Sequence, residues 1–377
     1  MSNLFDYLAW RGDLTFGKAS LCQADALVFS MLAYMKFDGI VPRDAHAEPV
    51  RLADVAKEYF ARPGVSRPGF ENNHERLLRL LAASARFGSL RLLAAQTVLD
   101  RGTGTQFAAI SILLPGQNLF VAFRGTDDTL IGWKEDFRMS YECPVPAQLE
   151  AKRYLSEVAA AYPLRRIFVG GHSKGGNLAV YAAVHCGEEV RYRIRTVFNH
   201  DGPGFFDGTV ASEAYAEMRP RIETYMPQSS IVAVLLEHDV NYKIVKSSSK
   251  GLMQHDGYTW EVLGTDFVYT DERTAFGKRT AAIIDHFVSK TSPDRRRRFC
   301  EALFSVLEAT EHDTFSGILG GKRQSLRNMM GAYTDMPDDM RMLLTETLGV
   351  LIGAGRAAKK AERSKVRGSI FAGEESS

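Results

Sequence analysis

The sequence predicts an α/β protein in which helices cover both faces of a mostly parallel central sheet. Three observations lead to this prediction: apolar runs short enough to be strands, helical patterns between them, and glycine-rich turns where the strands end. The 377 residues are 45% hydrophobic and 24% charged, which is typical of a globular protein and excludes a wholly disordered chain.

The middle of the chain supplies the strand and helix signals in alternation. Two apolar runs, residues 107–114 and 119–123, are separated by a Pro-Gly-Gln-Asn turn, which predicts a strand, a tight turn and a second strand. A helical pattern, a buried strand, a second helix and another strand follow at residues 148–162, 166–170, 177–185 and 196–199. This alternation is typical of parallel strands joined by helical crossovers.

The regions on either side of this stretch are predicted to be helical. Apolar residues recur at helical spacing over residues 24–35 and 76–95, and the strand signals fade again after about residue 272. We therefore expect a helical N-terminal extension or cap (1–95), a sheet-based core (96–271), a helical C-terminal region (272–367) and a disordered tail (368–377).

The charge balance argues against a nucleic-acid partner. The 47 Lys and Arg residues nearly cancel the 45 Asp and Glu residues, which leaves a formal charge of +2 and no global basic field. Two basic clusters, residues 295–298 and 356–367, are expected to be solvated helix faces or a loose tail. The alternative is a peripheral contact of this basic C-terminal region with a membrane surface, supported by the apolar segment 343–358.

Other features predict a cytoplasmic protein without a metal site. No stretch reaches the roughly 18 uninterrupted apolar residues of a membrane span. Asp6 and Asp13 lie where a signal peptide needs a basic end followed by an apolar core. The four cysteines are far apart and form no CxxC pair, so neither a zinc ribbon nor a disulfide framework is expected.

The segment GHSKG at residues 171–175 matches the GxSxG pattern of a catalytic serine, with a phosphate-binding turn as the alternative. An apolar strand ends at Gly170, and a helix of small apolar residues begins just after the motif. Glycine on both sides of the serine removes Cβ atoms that would collide in a tight strand-to-helix turn. We predict Ser173 as the nucleophile and the backbone N–H of Lys174 as an oxyanion donor, and we expect the Lys174 side chain to be exposed.

A second oxyanion donor is expected in the loop after an earlier strand. The phrase FRGTDD at residues 123–128, followed by Trp133, Asp136 and then GHSKGG, resembles the class 3 (fungal-type) lipases. In those enzymes a strand ending in arginine, glycine and a small hydroxyl residue precedes the serine turn. The resemblance implies Thr126 as the second donor, through its backbone N–H and its hydroxyl.

Four further phrases extend the resemblance beyond the lipase core. The segments LFDYLAWRGDLTF, ADALVFSMLAY, FNHDGPGF and QHDGYTW are together similar to the bacterial Mbeg-like branch of the α/β hydrolases. This similarity covers most of residues 3–262. It implies the α/β-hydrolase fold, and it implies no particular substrate.

In this fold the serine is followed along the chain by an acid and then by a histidine. Five histidines lie far enough along the chain: His200, His238, His255, His286 and His312. Only His255 lies in a polar, glycine-bearing loop after the last strand-like run, and the QHD phrase holds the matching position in the family pattern. We predict His255 as the catalytic base.

The acid is predicted to be Asp201, with Asp239 as the alternative. In class 3 lipases the acid follows a later strand, and the comparable stretch here, residues 226–232, carries Ser230 in place of an aspartate. Asp201 follows the preceding strand in a glycine- and proline-containing turn, where a carboxylate can be held rigidly. The ends of neighbouring strands are adjacent, so an acid after the earlier strand can reach the same base.

The predicted function is a serine acyl hydrolase, esterase- or lipase-like, that cleaves an ester or thioester of a small molecule or lipid through an acyl-enzyme. This chemistry needs no cofactor and no metal ion, and we predict neither. The alternatives are an acyltransferase of the same fold and a non-catalytic binding protein whose helical ends contact a partner or a membrane surface.

Overall fold

A computed structural model describes residues 2–65, 72–206, 208–237, 241–320 and 322–346 of the chain. The strands are β1 (Val50–Arg51), β2 (Arg91–Asp100), β3 (Thr105–Leu114), β4 (Asn118–Phe123), β5 (Arg166–His172), β6 (Ile194–His200), β7 (Ile222–Pro227), β8 (Tyr242–Val245), β9 (Val262–Leu263), β10 (Asp266–Phe267) and β11 (Tyr269–Thr270). The helices are α1 (Leu4–Arg11), α2 (Gln23–Leu32), α3 (Leu52–Ala61), α4 (Asn73–Ala83), α5 (Leu130–Arg138), α6 (Pro146–Ala161), α7 (Lys174–His185), α8 (Glu188–Arg191), α9 (Glu213–Met218), α10 (Ala275–Lys290), α11 (Pro293–Glu308), α12 (Phe315–Gly320) and α13 (Lys322–Asp335).

In the described part of the chain, nine strands form one sheet in the order β1-β2-β3-β4-β5-β6-β7-β8-β11. The strands from β4 to β8 pair in parallel, whereas the outer pairs are antiparallel. These pairings leave β1, β3 and β11 running against the others, so most of the sheet points one way. The predicted α/β fold with a mostly parallel central sheet is confirmed.

Helices cover both faces of the sheet because the strand side chains alternate between two cores. On β4, Phe120 and Ala122 point into a core shared with α1, α2 and α4. Leu119, Val121 and Phe123 point into a second core shared with α6, α7 and α9. The N-terminal helices therefore form one whole layer of the molecule. The sheet also reaches back before residue 96, because β1 and the start of β2 belong to it.

The predicted helix over residues 76–95 is wrong beyond Ala83. Helix α4 ends there, and β2 begins at Arg91 and pairs antiparallel with β3. The apolar run near residues 92–95 fits a helix or a buried strand equally well, and pairing with the distant β3 decides between them. A bulge between Leu93 and Gln96 and a positive φ of 53° at Ala94 interrupt that pairing.

The C-terminal region packs as helices on α5 and on each other. The backbone N–H of Leu130 at the start of α5 donates to the Asp313 carbonyl oxygen at 2.8 Å. Within the basic cluster 295–298, Arg295 and Arg298 form surface ion pairs, whereas Arg296 is buried and donates to backbone carbonyls. The expectation of a solvated face is therefore wrong for Arg296. The cluster 356–367 and the tail 368–377 lie outside the described residues, as does most of segment 343–358.

Among the helices that the structure describes, none has the length and apolar character needed to cross a membrane.

Candidate active site

The carboxyl ends of the parallel strands collect the polar residues singled out in the sequence. Register aligns Phe123 of β4 with Gly171 of β5, and His172 of β5 with His200 of β6. The residues that follow these aligned strand ends are Thr126 after β4, Ser173 after β5, Asp201 after β6 and Ser230 after β7. In open α/β sheets this edge is where ligands bind.

Ser173 lies on a strained turn between β5 and α7, with φ 59° and ψ −134°. A Cβ atom at Gly171 would lie 2.2 Å from the backbone of Gly175, and one at Gly175 would lie 2.2 Å from the Phe123 carbonyl oxygen. Only glycine fits at either position, which is the physical basis of the motif. The turn leaves Ser173 partly exposed at the N-terminus of α7, where free backbone N–H groups favour negative charge.

His255 and Asp201 are in direct contact. The Nδ1 atom of His255 lies 2.7 Å from Oδ2 of Asp201, and Asp201 is fully buried while the His255 side chain is about one-third exposed. A carboxylate only accepts, so Nδ1–H of His255 donates, and in a neutral imidazole Nε2 is then the nitrogen with the lone pair. The backbone N–H of Asp201 donates to the Tyr225 carbonyl oxygen at 2.7 Å, which ties Asp201 to β7. The alternative acid, Asp239, lies outside the described residues.

Ser230 holds the second oxygen of the Asp201 carboxylate. Its hydroxyl donates to Oδ1 of Asp201 and accepts from the backbone N–H of Ala233 at 3.0 Å. The position at which the lipase pattern led us to look for an acid therefore carries a hydrogen-bond donor to Asp201, which follows the neighbouring strand. The sequence showed the missing aspartate, but it gave no signal for this contact.

The loop of Thr126 passes directly beside the serine. A Cβ atom at Gly125 would lie 2.9 Å from Cβ of Ser173, so the loop approaches the turn as closely as backbone allows. The Thr126 hydroxyl donates to both carboxylate oxygens of Asp136, at 2.7 and 2.6 Å. Burial raises the pKa of Asp136 to about 6, an effect that nearby Lys174 opposes. Because the Thr126 hydroxyl already donates to Asp136, the backbone N–H is the group of Thr126 that can donate to a ligand.

The Lys174 side chain is buried, and the expectation of an exposed side chain is wrong. Its ammonium donates to the Gln106 carbonyl oxygen at 2.9 Å, to Gln106 Oε1 at 2.6 Å and to Glu135 Oε2 at 2.9 Å. Asp136 lies 3.8 Å away. The interior accepts this charge because Glu135, which is also buried, compensates it. Lys174 thus joins the serine turn to β3 and to α5.

Among the hydrogen bonds of the described residues, none joins the Ser173 hydroxyl to the His255 ring, and none uses the backbone N–H of Thr126 or Lys174. Catalytic hydrogen bonds of this kind are often long before a substrate is bound.

A cavity of about 850 Å³ lies between α5, α11 and the β2–β3 turn, and it is lined by none of Ser173, His255 and Asp201. Within the described ranges, His, Cys, Asp and Glu side chains form no cluster suited to a metal ion.

These features define the α/β-hydrolase fold: a mostly parallel sheet whose central strand leads through a strained serine turn into a buried helix. The sequence pattern of the Mbeg1-like family matches residues 81–305, and the chain belongs to that family. A comparison with curated proteins gives no match.

The solved structures with a similar chain arrangement include several lipases. The Rhizomucor miehei lipase propeptide complex is 13% identical, with a TM-score of 0.37 over 66% of this chain and 74% of the lipase. A lipase from Rhizopus microsporus var. chinensis is 16% identical, with a TM-score of 0.33 over 56% and 75% of the two chains. The M37 lipase is 15% identical, with a TM-score of 0.32 over 57% and 83%. These likenesses are distant and carry no information about the reaction.

Proposed function

We propose that the protein is a serine acyl hydrolase that cleaves a carboxylic ester or thioester through a covalent acyl-enzyme. The observation that carries the proposal is the 2.7 Å contact between Asp201 and His255 at the strand ends beside Ser173. A buried carboxylate bonded to Nδ1–H of a partly exposed imidazole is the arrangement that prepares Nε2 to accept a proton.

In the proposed mechanism, Nε2 of His255 takes the proton of the Ser173 hydroxyl while Oγ attacks the substrate carbonyl carbon. Asp201 stabilises the imidazolium that forms. The backbone N–H groups of Thr126 and Lys174 donate to the oxyanion. The protonated Nε2 then gives its proton to the departing alcohol or thiol, which leaves an acyl-enzyme. The same nitrogen then deprotonates a water molecule that attacks the acyl-enzyme carbonyl carbon, and it returns this proton to Ser173 Oγ as the C–Oγ bond breaks and the carboxylic acid leaves.

The setting of the proposed donors supports this mechanism. Each donor belongs to a residue whose own side chain is anchored, because the Thr126 hydroxyl is bonded to Asp136 and the Lys174 ammonium is bonded to Glu135. Donors that are fixed before the substrate arrives cost no reorganisation during the reaction. The proposed hole is therefore built from two backbone amides that the buried charges hold in place.

A fluorophosphonate probe, which phosphonylates activated serines, tests the nucleophile. We expect the wild-type protein to be labelled and Ser173→Ala to be unlabelled. Ser140→Ala, at a partly exposed serine after α5, serves as the matched control and should label like the wild type. Absence of wild-type labelling, or labelling that persists in Ser173→Ala, would overturn the proposal.

Hydrolysis of p-nitrophenyl esters tests the acid. Asp201→Asn should lower kcat by a factor of about 10³–10⁴, as expected when the group that fixes the imidazole tautomer is lost. Asp239→Asn should have a kcat within about twofold of the wild-type value, because the proposal assigns the acid to Asp201 alone. The assignment of Asp201 fails if Asp239→Asn is the variant that loses activity.

A further inference from the structure

The ring of His172, the residue directly before Ser173, is bonded at both nitrogens. Its Nε2 atom lies 2.7 Å from the backbone carbonyl oxygen of His255, and its Nδ1 atom lies 3.0 Å from the Tyr34 hydroxyl. The residue is 4% exposed, so water does not compete for these contacts. The His172 and His255 rings pack with their centroids 4.6 Å apart.

The chemistry of the partners fixes the direction of each hydrogen bond. A carbonyl oxygen only accepts, so Nε2 of His172 carries a hydrogen and donates to His255. Burial, and then the neighbouring His255, hold the pKa of His172 well below its ordinary value, so the ring is neutral and Nδ1 is an acceptor. The Tyr34 hydroxyl therefore donates to Nδ1. The result is a directed chain from Tyr34 through His172 to the main chain of His255.

The His255 loop is also anchored at the preceding residue: Gln254 is buried, its Oε1 accepts from the Ser229 backbone N–H at 2.7 Å, and its side-chain amide donates to the Ser249 carbonyl oxygen at 3.0 Å. The loop is a short 3₁₀ turn that starts at Gly251 with φ +56°, and Leu252 and Met253 within it are 60% and 66% exposed. The indole N–H of Trp260 holds the Gln254 carbonyl oxygen at 2.9 Å. The next carbonyl along the chain, that of His255, is held by His172.

Tyr34 lies just beyond α2, and its hydroxyl also reaches the loop that precedes Thr126. The backbone amide of Gly125 faces this hydroxyl, and a Cβ atom at Gly125 would lie 2.2 Å from it. One hydroxyl from the N-terminal region therefore touches the Thr126 loop and the serine turn. Through His172 it also acts on the histidine loop.

We propose that His172 and Tyr34 are positioning residues for the base: Tyr34 fixes the tautomer of His172, and His172 holds the main chain of His255 at a set distance from Ser173. The proposal rests on the serine hydrolase function proposed above. It assigns a role in the reaction to the N-terminal region, which contributes no group to the proposed triad.

The test compares variants that keep or lose the donor at His172. Glutamine has an amide nitrogen near the position of Nε2 and can donate to His255, whereas phenylalanine keeps the ring and cannot. We expect His172→Phe to slow fluorophosphonate labelling about 30- to 100-fold, since small displacements of reacting groups cost about that much. His172→Gln should stay within about fivefold of the wild type. In ester hydrolysis the loss should fall on kcat and leave KM nearly unchanged.

A double-variant cycle separates a relay from two independent structural contacts. Tyr34→Phe should slow labelling about fivefold or more in the wild-type background, because His172 can then adopt the other tautomer. The same change should have a clearly smaller effect in His172→Gln, because an amide has no tautomer to fix and only the contact of the hydroxyl with the Gly125 amide is then lost. Tyr192→Phe, at a tyrosine that is 84% exposed, is the matched control and should label like the wild type.

Nitrogen NMR of the imidazole rings reads the tautomer without activity, and the His172→Gln spectrum identifies the resonance. We expect the Nε2–H form in the wild type and a mixture in Tyr34→Phe. An Nδ1–H form in the wild type would overturn the proposal. So would equal labelling rates for His172→Gln and His172→Phe. If His172→Phe fails to fold, the double-variant cycle remains as the test. The proposal is then refuted if Tyr34→Phe slows labelling by the same factor in the wild-type and His172→Gln backgrounds. An unlabelled wild type would instead overturn the proposed function itself.

Discussion

Replacement of Lys174 by methionine should destabilise the protein strongly, although the two side chains have similar length. The Lys174 and Glu135 side chains are 1% and 0% exposed, so the charge left on Glu135 would have no water to replace its partner. Three hydrogen bonds from the ammonium would also be lost. Removing one partner of a buried ion pair costs about 3–5 kcal/mol, and we expect the free energy of unfolding to fall by that amount.

Urea denaturation at pH 7.5, followed by circular dichroism, measures this change. Lys134→Met is the matched control on the neighbouring surface, because Lys134 and Glu308 form an ion pair whose members are 40% and 51% exposed. Such a pair contributes about 0–1 kcal/mol. The double variant Lys174→Met with Glu135→Gln should lose at least about 2 kcal/mol less than the sum of the single losses.

Two results would refute this reasoning. If Lys174→Met costs no more than Lys134→Met, the buried pair does not hold the fold. If the losses in the double variant are additive, Lys174 and Glu135 act independently, and the ammonium does not join the serine turn to α5.

Three further changes probe the surroundings of the site. Ser230→Ala removes the donor to Asp201 Oδ1 and should lower kcat for ester hydrolysis about tenfold, whereas activity unchanged within twofold would contradict that role. Burial raises the pKa of Asp136 to about 6, so ionisation of this carboxyl lowers the unfolding free energy as the pH rises from about 4 to 6. Asp136→Asn should therefore remove about 1–3 kcal/mol of that decrease, as measured by urea titrations at each pH. An unchanged dependence of the unfolding free energy on pH would contradict this. Gly125→Ala would put a Cβ atom 2.2 Å from the Tyr34 hydroxyl and should lower Tm by several degrees. Gly17→Ala, at an uncrowded glycine, is the control, and equal Tm values for the two variants would contradict this prediction.

The order of strands and helices in the core was predictable because local signals agree with the final fold. Apolar runs, turn residues and the GHSKG motif each report on a few neighbouring residues, and β4, β5 and β6 lie where those signals predicted. Asp201 and His255 were predicted from their places in loops after strand-like runs, and His255 also from the resemblance of its QHD phrase to the family pattern. Their roles in catalysis stay predictions, as does the boundary at residue 96.

Contacts between distant parts of the chain were not predictable from these local signals. Glu135, which compensates the charge of Lys174, lies 39 residues before it along the chain. The residues next to Lys174 in the sequence do not indicate that its ammonium is buried. Ser230 and Asp201 are 29 residues apart and meet only because β6 and β7 are neighbours. Tyr34 reaches His172 across 138 residues. The strand β2 was mistaken for helix for the same reason, because its partner β3 decides its conformation.

The layer formed by α1, α2 and α4 limits how far the protein can be reduced in size. A polypeptide cut at residue 96 would divide β2 in the middle and would uncover Phe120, Phe198 and Tyr225, all of them buried in the intact molecule. Such a fragment would aggregate through its bare sheet face instead of yielding a smaller catalyst. The first ninety-five residues are therefore a structural layer of the sheet and not a detachable module.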